Sequence, residues 1–375
     1  MMKTLLTILF ILLEYGAGFA QTVKTEWPVF RGSYDLSGRS DNVLPEHPSL
    51  RWSVSTGVRT KSSPVLSEGT IFFGNDKGTL TAVTTGGVIK WRFESGSSIE
   101  APPMVYRGKV IFGATDGILR AVDASSGRLL WTYHTDNQIM GSANLWTSGQ
   151  RTGILAGSYD YFLHCVNPET GLPLWKVESD NYINGAPSFS GNRIVFGGCD
   201  GIIRVIDPLS GKERDTINIG IYMASSPSMS GDMAYFGDYD GSVYSVDLAT
   251  GKIKWKTFAG PEPGSVMSIP AISTGRVVTG SENKYLYCFS ADRGNILWRF
   301  RTNGRVTGSA VVTPSKVLFG STDGSIYILR LEDGRKLWSF DTGAPVSSSP
   351  VVTADVFYIL SEDGRLLAFG EKKKG

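Results

Sequence analysis

Apolar and polar residues alternate along this chain in short runs, each closed by a small or turn-forming residue. In residues 103–134 the runs are PMVY, KVIFGA, ILRAVD and LLWTYH. They are joined by Arg107-Gly108, Thr115-Asp116-Gly117 and Ala124-Ser125-Ser126-Gly127. Period-two alternation bounded by such turns marks antiparallel strands joined by tight hairpins. The pattern predicts four consecutive short strands in this stretch.

The stretch is one copy of a repeat. A Gly-x-x-x-Trp phrase recurs at Gly87/Trp91, Gly127/Trp131, Gly171/Trp175, Gly251/Trp255, Gly294/Trp298 and Gly334/Trp338. The period is about 40 residues. One copy departs: Gly211-Lys212-Glu213-Arg214-Asp215 carries Asp where Trp is expected. A second turn marks every unit, at Lys77-Gly78, Asp116-Gly117, Asp160-Tyr161, Asp200-Gly201, Asp240-Gly241, Asn283-Lys284, Asp323-Gly324 and Asp363-Gly364. Eight four-strand units at this period predict an all-β fold, an eight-bladed β-propeller of four-stranded antiparallel blades. The last unit stops at Phe369 without its Trp strand, while Leu50 to Val54 supplies a Trp52 strand with no unit before it. The N-terminal strand is therefore expected to complete the last blade, leaving no open seam.

Blades radiate from a central channel, so the gap between neighbours widens outward. Trp52, Trp91, Trp131, Trp175, Trp255, Trp298 and Trp338 stand on the outermost strands and are expected to fill that wedge. Each indole N–H then needs a partner, for which a backbone carbonyl of the next blade is the expected choice. Asp123, Asp207 and Asp247 open the turn ahead of the Gly, where a carboxylate can accept bonds from backbone N–H groups further on.

Composition narrows the function. Among 375 residues the net charge is +2 and 19% are charged, without the concentrated basic stripe of a nucleic-acid surface. Lys3, the apolar run Thr4 to Leu13 and Gly18-Phe19-Ala20 read as a secretory signal over residues 1–20. The run is too short to cross a bilayer. Residues 21–47 form a lead, 48–370 the propeller and 371–375 a basic tail. The chain is expected to be exported, without a transmembrane segment in its mature form, and monomeric. With no Cys near the cleavage point, no lipid anchor is expected. Three cysteines cannot all pair within one chain. Cys165 and Cys288 share a repeat position and read as small buried residues; Cys199 sits in a turn and reads as a free thiol. His47, His134 and His164 show no metal-ligand spacing and read as solvent-side residues. The recurring Ser-Pro phrases, such as Ser62-Ser63-Pro64 and Ser225-Ser226-Pro227, read as small residues crowding the channel; a nucleophilic Ser would need an adjacent base.

The repeat DG-x-L-x-A-x-D-x-x-[ST]-G-x-x-x-W resembles that of the pyrroloquinoline-quinone (PQQ) type propellers, over roughly residues 48–370. The lead WPVFRGSYDLSGRS, Trp27 to Ser40, is similar to the stretch that often precedes them. That family includes quinoprotein dehydrogenases, which use a vicinal Cys-Cys disulfide against the quinone and a Glu/Asn/Asp set around Ca²⁺. No Cys-Cys pair occurs here, and no catalytic residue, cofactor or metal is expected. In size and bareness the chain looks most like the BamB family of outer-membrane assembly factors, scaffolds at the periplasmic face of the outer membrane. That family is usually lipidated on an N-terminal Cys, which is lacking here. The loops that carry Leu-x-Leu-Arg and Asp-x-Asp in that family read YINGAP (182–187) and YMASSP (222–227) here.

Function in repeat proteins concentrates on variable loops over a fixed frame. The variable positions precede each innermost strand: Arg59, Lys61, Glu100, Met140, Tyr182, Tyr222, Met223, Val266 and Arg305. They are expected to form an exposed rim that binds protein partners of the cell envelope. The alternative reading is a quinoprotein-like oxidoreductase, or a propeller binding a small ligand or polysaccharide.

Overall fold

The computed structural model describes residues 25–260 and 262–372. The signal reading and the last three residues of the tail lie outside this range. Eight four-stranded antiparallel sheets follow one another around a ring. Blades 1 to 7 occupy residues 65–94, 104–134, 144–178, 188–218, 228–258, 271–301 and 311–341, each with its strands in chain order from the centre outward. In blade 2 the strands are Met104–Tyr106, Lys109–Gly113, Ile118–Asp123 and Leu129–His134, within a residue of the runs read from sequence. Blade 8 takes three strands from residues 351–371 and its outermost from Pro48–Ser55, where Trp52 pairs with Ala368. The N-terminal strand thus closes the ring.

The second and third strands of each blade are buried almost throughout, while the fourth alternates between less and more exposed positions, except in blade 4, where Glu213–Asn218 is exposed but for Ile217. The core is therefore a ring of clusters lying in and between the blades. Cys165 and Cys288 are buried in two of them, in blades 3 and 6.

The Gly-x-x-x-Trp phrase is a knob and its seat. The Trp91 indole lies against Gly127 of the next blade, where an added Cβ would come within 2.8 Å of the ring. Its Nε1 donates to Ala124 O at 3.1 Å. Trp52, Trp131, Trp175, Trp255 and Trp298 repeat the bond, to Thr85, Pro168, Pro208, Ala291 and Leu331. The Gly is thus demanded twice, by the turn and by the neighbour's indole. Trp338 faces blade 8, where the chain ends meet in place of a turn, and packs edge-on against Phe369 at 5.4 Å.

At the seam of blades 4 and 5 the knob is Asp215, whose Oδ2 would lie 2.8 Å from a Cβ on Gly251. Ile217, Met223 and Leu248 supply the apolar filling there. A carboxylate keeps its water and contributes no apolar burial. We expect amide exchange to be faster along Glu213–Asn218 than along Leu129–His134, measured at native pH; equal rates would contradict the role given to the Trp knobs.

The lead forms a strap across one end of the channel. Trp27 pairs with Leu66 of blade 1, and Pro28 O accepts from Val105 N of blade 2 at 2.6 Å. Tyr34 O accepts from the Asn144 side chain of blade 3 and from Phe189 N of blade 4. Asp35, Ser37 and Gly38 carbonyls accept from Met229, Ile272 and Val312 of blades 5, 6 and 7. Asn42 Nδ2 reaches Val352 O of blade 8 at 3.4 Å. The strap visits all eight blades in chain order. Arg31 is its centre, 1% exposed. Its guanidinium donates to Ala310 O, to Pro270 O at 3.1 Å and to Leu36 O at 3.3 Å. Burial pulls the group down to about 9, partly offset by the Asp35 charge, so it stays charged at neutral pH.

Candidate functional site

The face opposite the strap carries the loops that enter each innermost strand. Each loop sends three successive side chains in three directions. The first points out over the rim: Arg59, Tyr182, Tyr222 and Arg305 are exposed, Tyr222 by 58%. The second points into the core. Ile99, Ile139, Ile183, Met223, Val266, Val306 and Val346 are all buried at this repeat position. They sit on glycines ending the second strand of the preceding blade, such as Gly74 under Ile99 and Gly197 under Met223. The third lines the channel mouth: Lys61, Glu100 and Met140 do so, beside Asn184, Met267 and Thr307.

The rim expectation therefore divides. Arg59, Tyr182, Tyr222 and Arg305 are on the rim; Lys61, Glu100 and Met140 belong to the mouth. Met223 and Val266 are corrected. They are 1% and 0% exposed and serve as apolar knobs seated on Gly197 and Gly237.

Backbone bonds fix each loop. The carbonyls of Arg59, Ser98, Gln138, Tyr182, Tyr222, Ser265, Arg305 and Pro345 each accept from an amide in the adjoining Asp-Gly-type turn. Serine hydroxyls of the Ser-Pro phrases, and Ser309 at the matching position of blade 7, lace neighbouring inner strands. Ser226 Oγ accepts from Ala186 N at 2.7 Å, Ser309 Oγ from Ile269 N at 2.9 Å and Ser63 Oγ from Ser349 N at 2.9 Å. These serines are fastenings of the ring, which refines their reading as small channel residues.

His164 also needs correction: it is 3% exposed and faces no solvent. Nε2 lies 2.9 Å from Asp160 Oδ2 and Nδ1 2.9 Å from Tyr133 Oη. Burial pushes the Asp160 carboxyl up, but hydrogen bonds from His164 and from the Phe162 and Asp136 amides together outweigh it, so the net shift is downward. The same third-strand position binds the turn acid elsewhere, as Arg120 with Asp116, Arg204 with Asp200 and Tyr327 with Asp323. The group is one form of a recurring latch.

The mouth is a funnel of about 360 Å³ that reaches down to Phe30 of the strap, so the strap forms its floor. Lys61 and Glu100, from the loops entering blades 1 and 2, pair on its wall at 3.0 Å. These residues do not fit the quinone site of the dehydrogenases. The three cysteines lie in three different blades, 3, 4 and 6, and Glu100 is tied to a cation. Among the described residues no group of three His, Cys, Asp or Glu is placed to hold a metal ion.

Sequence reasoning missed an aromatic sector. Tyr159, Tyr161 and Tyr239, from the turns of blades 3 and 5, join Tyr182 and Tyr222 on the rim. The rings of Tyr159 and Tyr182 stack at 4.7 Å, and Tyr161 approaches Tyr182 at 5.3 Å. Tyr161 has φ +77°, in the turn position held by Gly in six of the eight units; an L side chain there is strained. That exchange of Gly for Tyr was a signal available in the sequence.

A family model described as "Outer membrane protein assembly factor BamB" matches residues 44–257 and again 240–373. No curated protein matches the chain. Among solved structures the chain is similar to BamB from Moraxella catarrhalis, 17% identical, TM-score 0.73, covering 86% of this chain and 99% of that one. It is also similar to the quinohemoprotein alcohol dehydrogenase of Comamonas testosteroni, 14% identical, TM-score 0.79, covering 96% and 82%. A europium-containing methanol dehydrogenase matches at 15% identity, TM-score 0.76, covering 91% and 89%. At these identities the structural likeness carries the fold alone.

Proposed function

This chain belongs to the family of the outer membrane protein assembly factor BamB, and from that premise we propose that it is a non-enzymatic protein-interaction scaffold of the cell envelope. Its place would be the periplasmic side of the outer membrane, after export. The observation that carries the reading is the tyrosine sector: Tyr161, Tyr182, Tyr222 and Tyr239 are between 39% and 58% exposed on loops whose backbone is fixed from both sides. Rigid aromatic side chains with a polar tip provide contact area at small entropic cost, and they are enriched at protein interfaces. In the test, the Tyr182→Ala, Tyr222→Ala double variant melts as the parent does, because neither ring supports the core. Partner recovery after crosslinking in envelope fractions is expected to fall at least about tenfold, as for loss of hot-spot aromatics. Undiminished recovery would discard the rim.

The funnel favours a second reading, a small-ligand binder in the channel. Titration with PQQ and Ca²⁺ separates the two: a bound-quinone absorbance or dye-linked alcohol oxidation would favour it, and their absence leaves the scaffold.

A further inference from the structure

Cations are unevenly placed around the rim. The rim segments of blades 3 to 5 (residues 135–143, 158–162, 179–187, 198–202, 219–227 and 238–242) contain no Lys or Arg. They hold Asp136, Asp180 and Asp240, all exposed. The remaining loops and turns of that face carry Arg59, Lys61, Lys77, Lys284, Arg305 and Arg365, of which Arg59, Lys61, Arg305 and Arg365 pair with Glu362, Glu100, Glu282 and Asp363. Arg204 rises beneath the acidic sector, but its side chain is 5% exposed and is held by Asp200 and Asp180. The five tyrosines stand in this same cation-free sector. An aromatic face attracts a cation through its quadrupole, and neighbouring carboxylates add to that attraction. The chain already uses the contact at the edge of the sector, where Lys176 Nζ lies 3.9 Å above the Phe162 ring.

We propose that the tyrosine sector over blades 3 to 5 is a docking site for a cationic, Lys- and Arg-bearing segment of a polypeptide partner. The proposal rests on the scaffold reading and names the chemistry of its partner. Charge complementarity selects this occupant: an acidic segment would meet Asp136, Asp180 and Asp240 with no exposed cation to answer it. The stacked Tyr159–Tyr182 pair would take the side-chain stems and the Asp residues the charged heads. Tyr161 accepts a strained backbone in the same patch, consistent with a ring held in place for contact.

The test is fluorescence anisotropy on the full chain, with labelled decapeptides of alternating Lys/Arg and Gly, Glu and Gly, or Ser and Gly. We expect the Lys/Arg peptide to bind at low salt and to weaken as salt screens the carboxylates. Tyr182→Ala, Tyr222→Ala should weaken it about tenfold, the corresponding Phe pair should retain it, and Asp180→Asn, Asp240→Asn should reduce its salt dependence. Val88→Ser, on the strap face where Val88 is 64% exposed, should change nothing. Equal binding of the Ser/Gly peptide, or indifference to both Tyr→Ala changes, would overturn the proposal. So would tyrosine-dependent saturation by cellohexaose without peptide binding. If the peptides fail while envelope recovery still depends on Tyr182 and Tyr222, the scaffold stands and the cationic partner falls. If peptide binding holds and envelope recovery ignores the tyrosines, the scaffold reading falls.

Discussion

Trp131→Ala is expected to cost about 3–5 kcal/mol, the range for removing a large buried aromatic. Trp131 is 9% exposed, donates to Pro168 O at 3.1 Å and rests on Gly171. Its loss removes apolar contact across the seam of blades 2 and 3 and leaves that carbonyl without its donor. For a chain of this length the melting temperature should fall by about 5 °C. Gly171→Ala attacks the same contact from the other blade, since its Cβ would come within 2.7 Å of the indole at a backbone φ of +72°. The two changes share one contact, so the double variant should lose less than the sum. Thermal melts of the three variants check this. Additive losses, or a parent-like melt for Trp131→Ala, would contradict the knob-and-seat account.

The second large effect is expected at Arg31. Arg31→Ala would leave the carbonyls of Leu36, Pro270 and Ala310 without their donor in a buried site. An unsatisfied buried polar group costs about 1–3 kcal/mol. Relaxation of the strap will recover part of the sum, so a loss of about 3 kcal/mol is expected. Arg31→Lys keeps the charge but not the planar fork that addresses several carbonyls together, and should restore less than half. The loss should be accompanied by faster protease cleavage within residues 25–43, because those residues are anchored across the ring through this group. A stable Arg31→Ala variant with a protected strap would show that the strap stands without its centre.

The repeat made the blades, the clasp and the Trp knobs legible, because each is dictated by local turns, alternation and one large residue at a fixed spacing. The strap was less legible. Its residues resemble a stretch that often precedes such propellers, but its path depends on eight contacts far apart in sequence. In retrospect Gly32 and Gly38 are its local signs: a Cβ at either would strike Trp27 or Arg31. The rim was half legible. Variability located the loops, but Met223 and Val266 were read as rim because they lie among the variable positions before the innermost strands. Aligning them with Ile99, Ile139, Ile183, Val306 and Val346 exposes a constant apolar position, which is the mark of a core residue. His164 was misread for the opposite reason: its partner Asp160 was assigned to the turn alone. The tyrosine sector escaped because it is assembled from three blades, and only Tyr161 breaks the repeat in a way that a single unit reveals.

The central claim is that partners meet the tyrosine face of the rim and leave the strap face free. The most direct test places a photocrosslinking amino acid at Tyr222, or at Val88 on the strap face, where Val88 is 64% exposed. Illumination in envelope preparations is predicted to give a discrete protein adduct from position 222 and none from position 88. An adduct from position 88 alone, or equal labelling at both, would contradict the account.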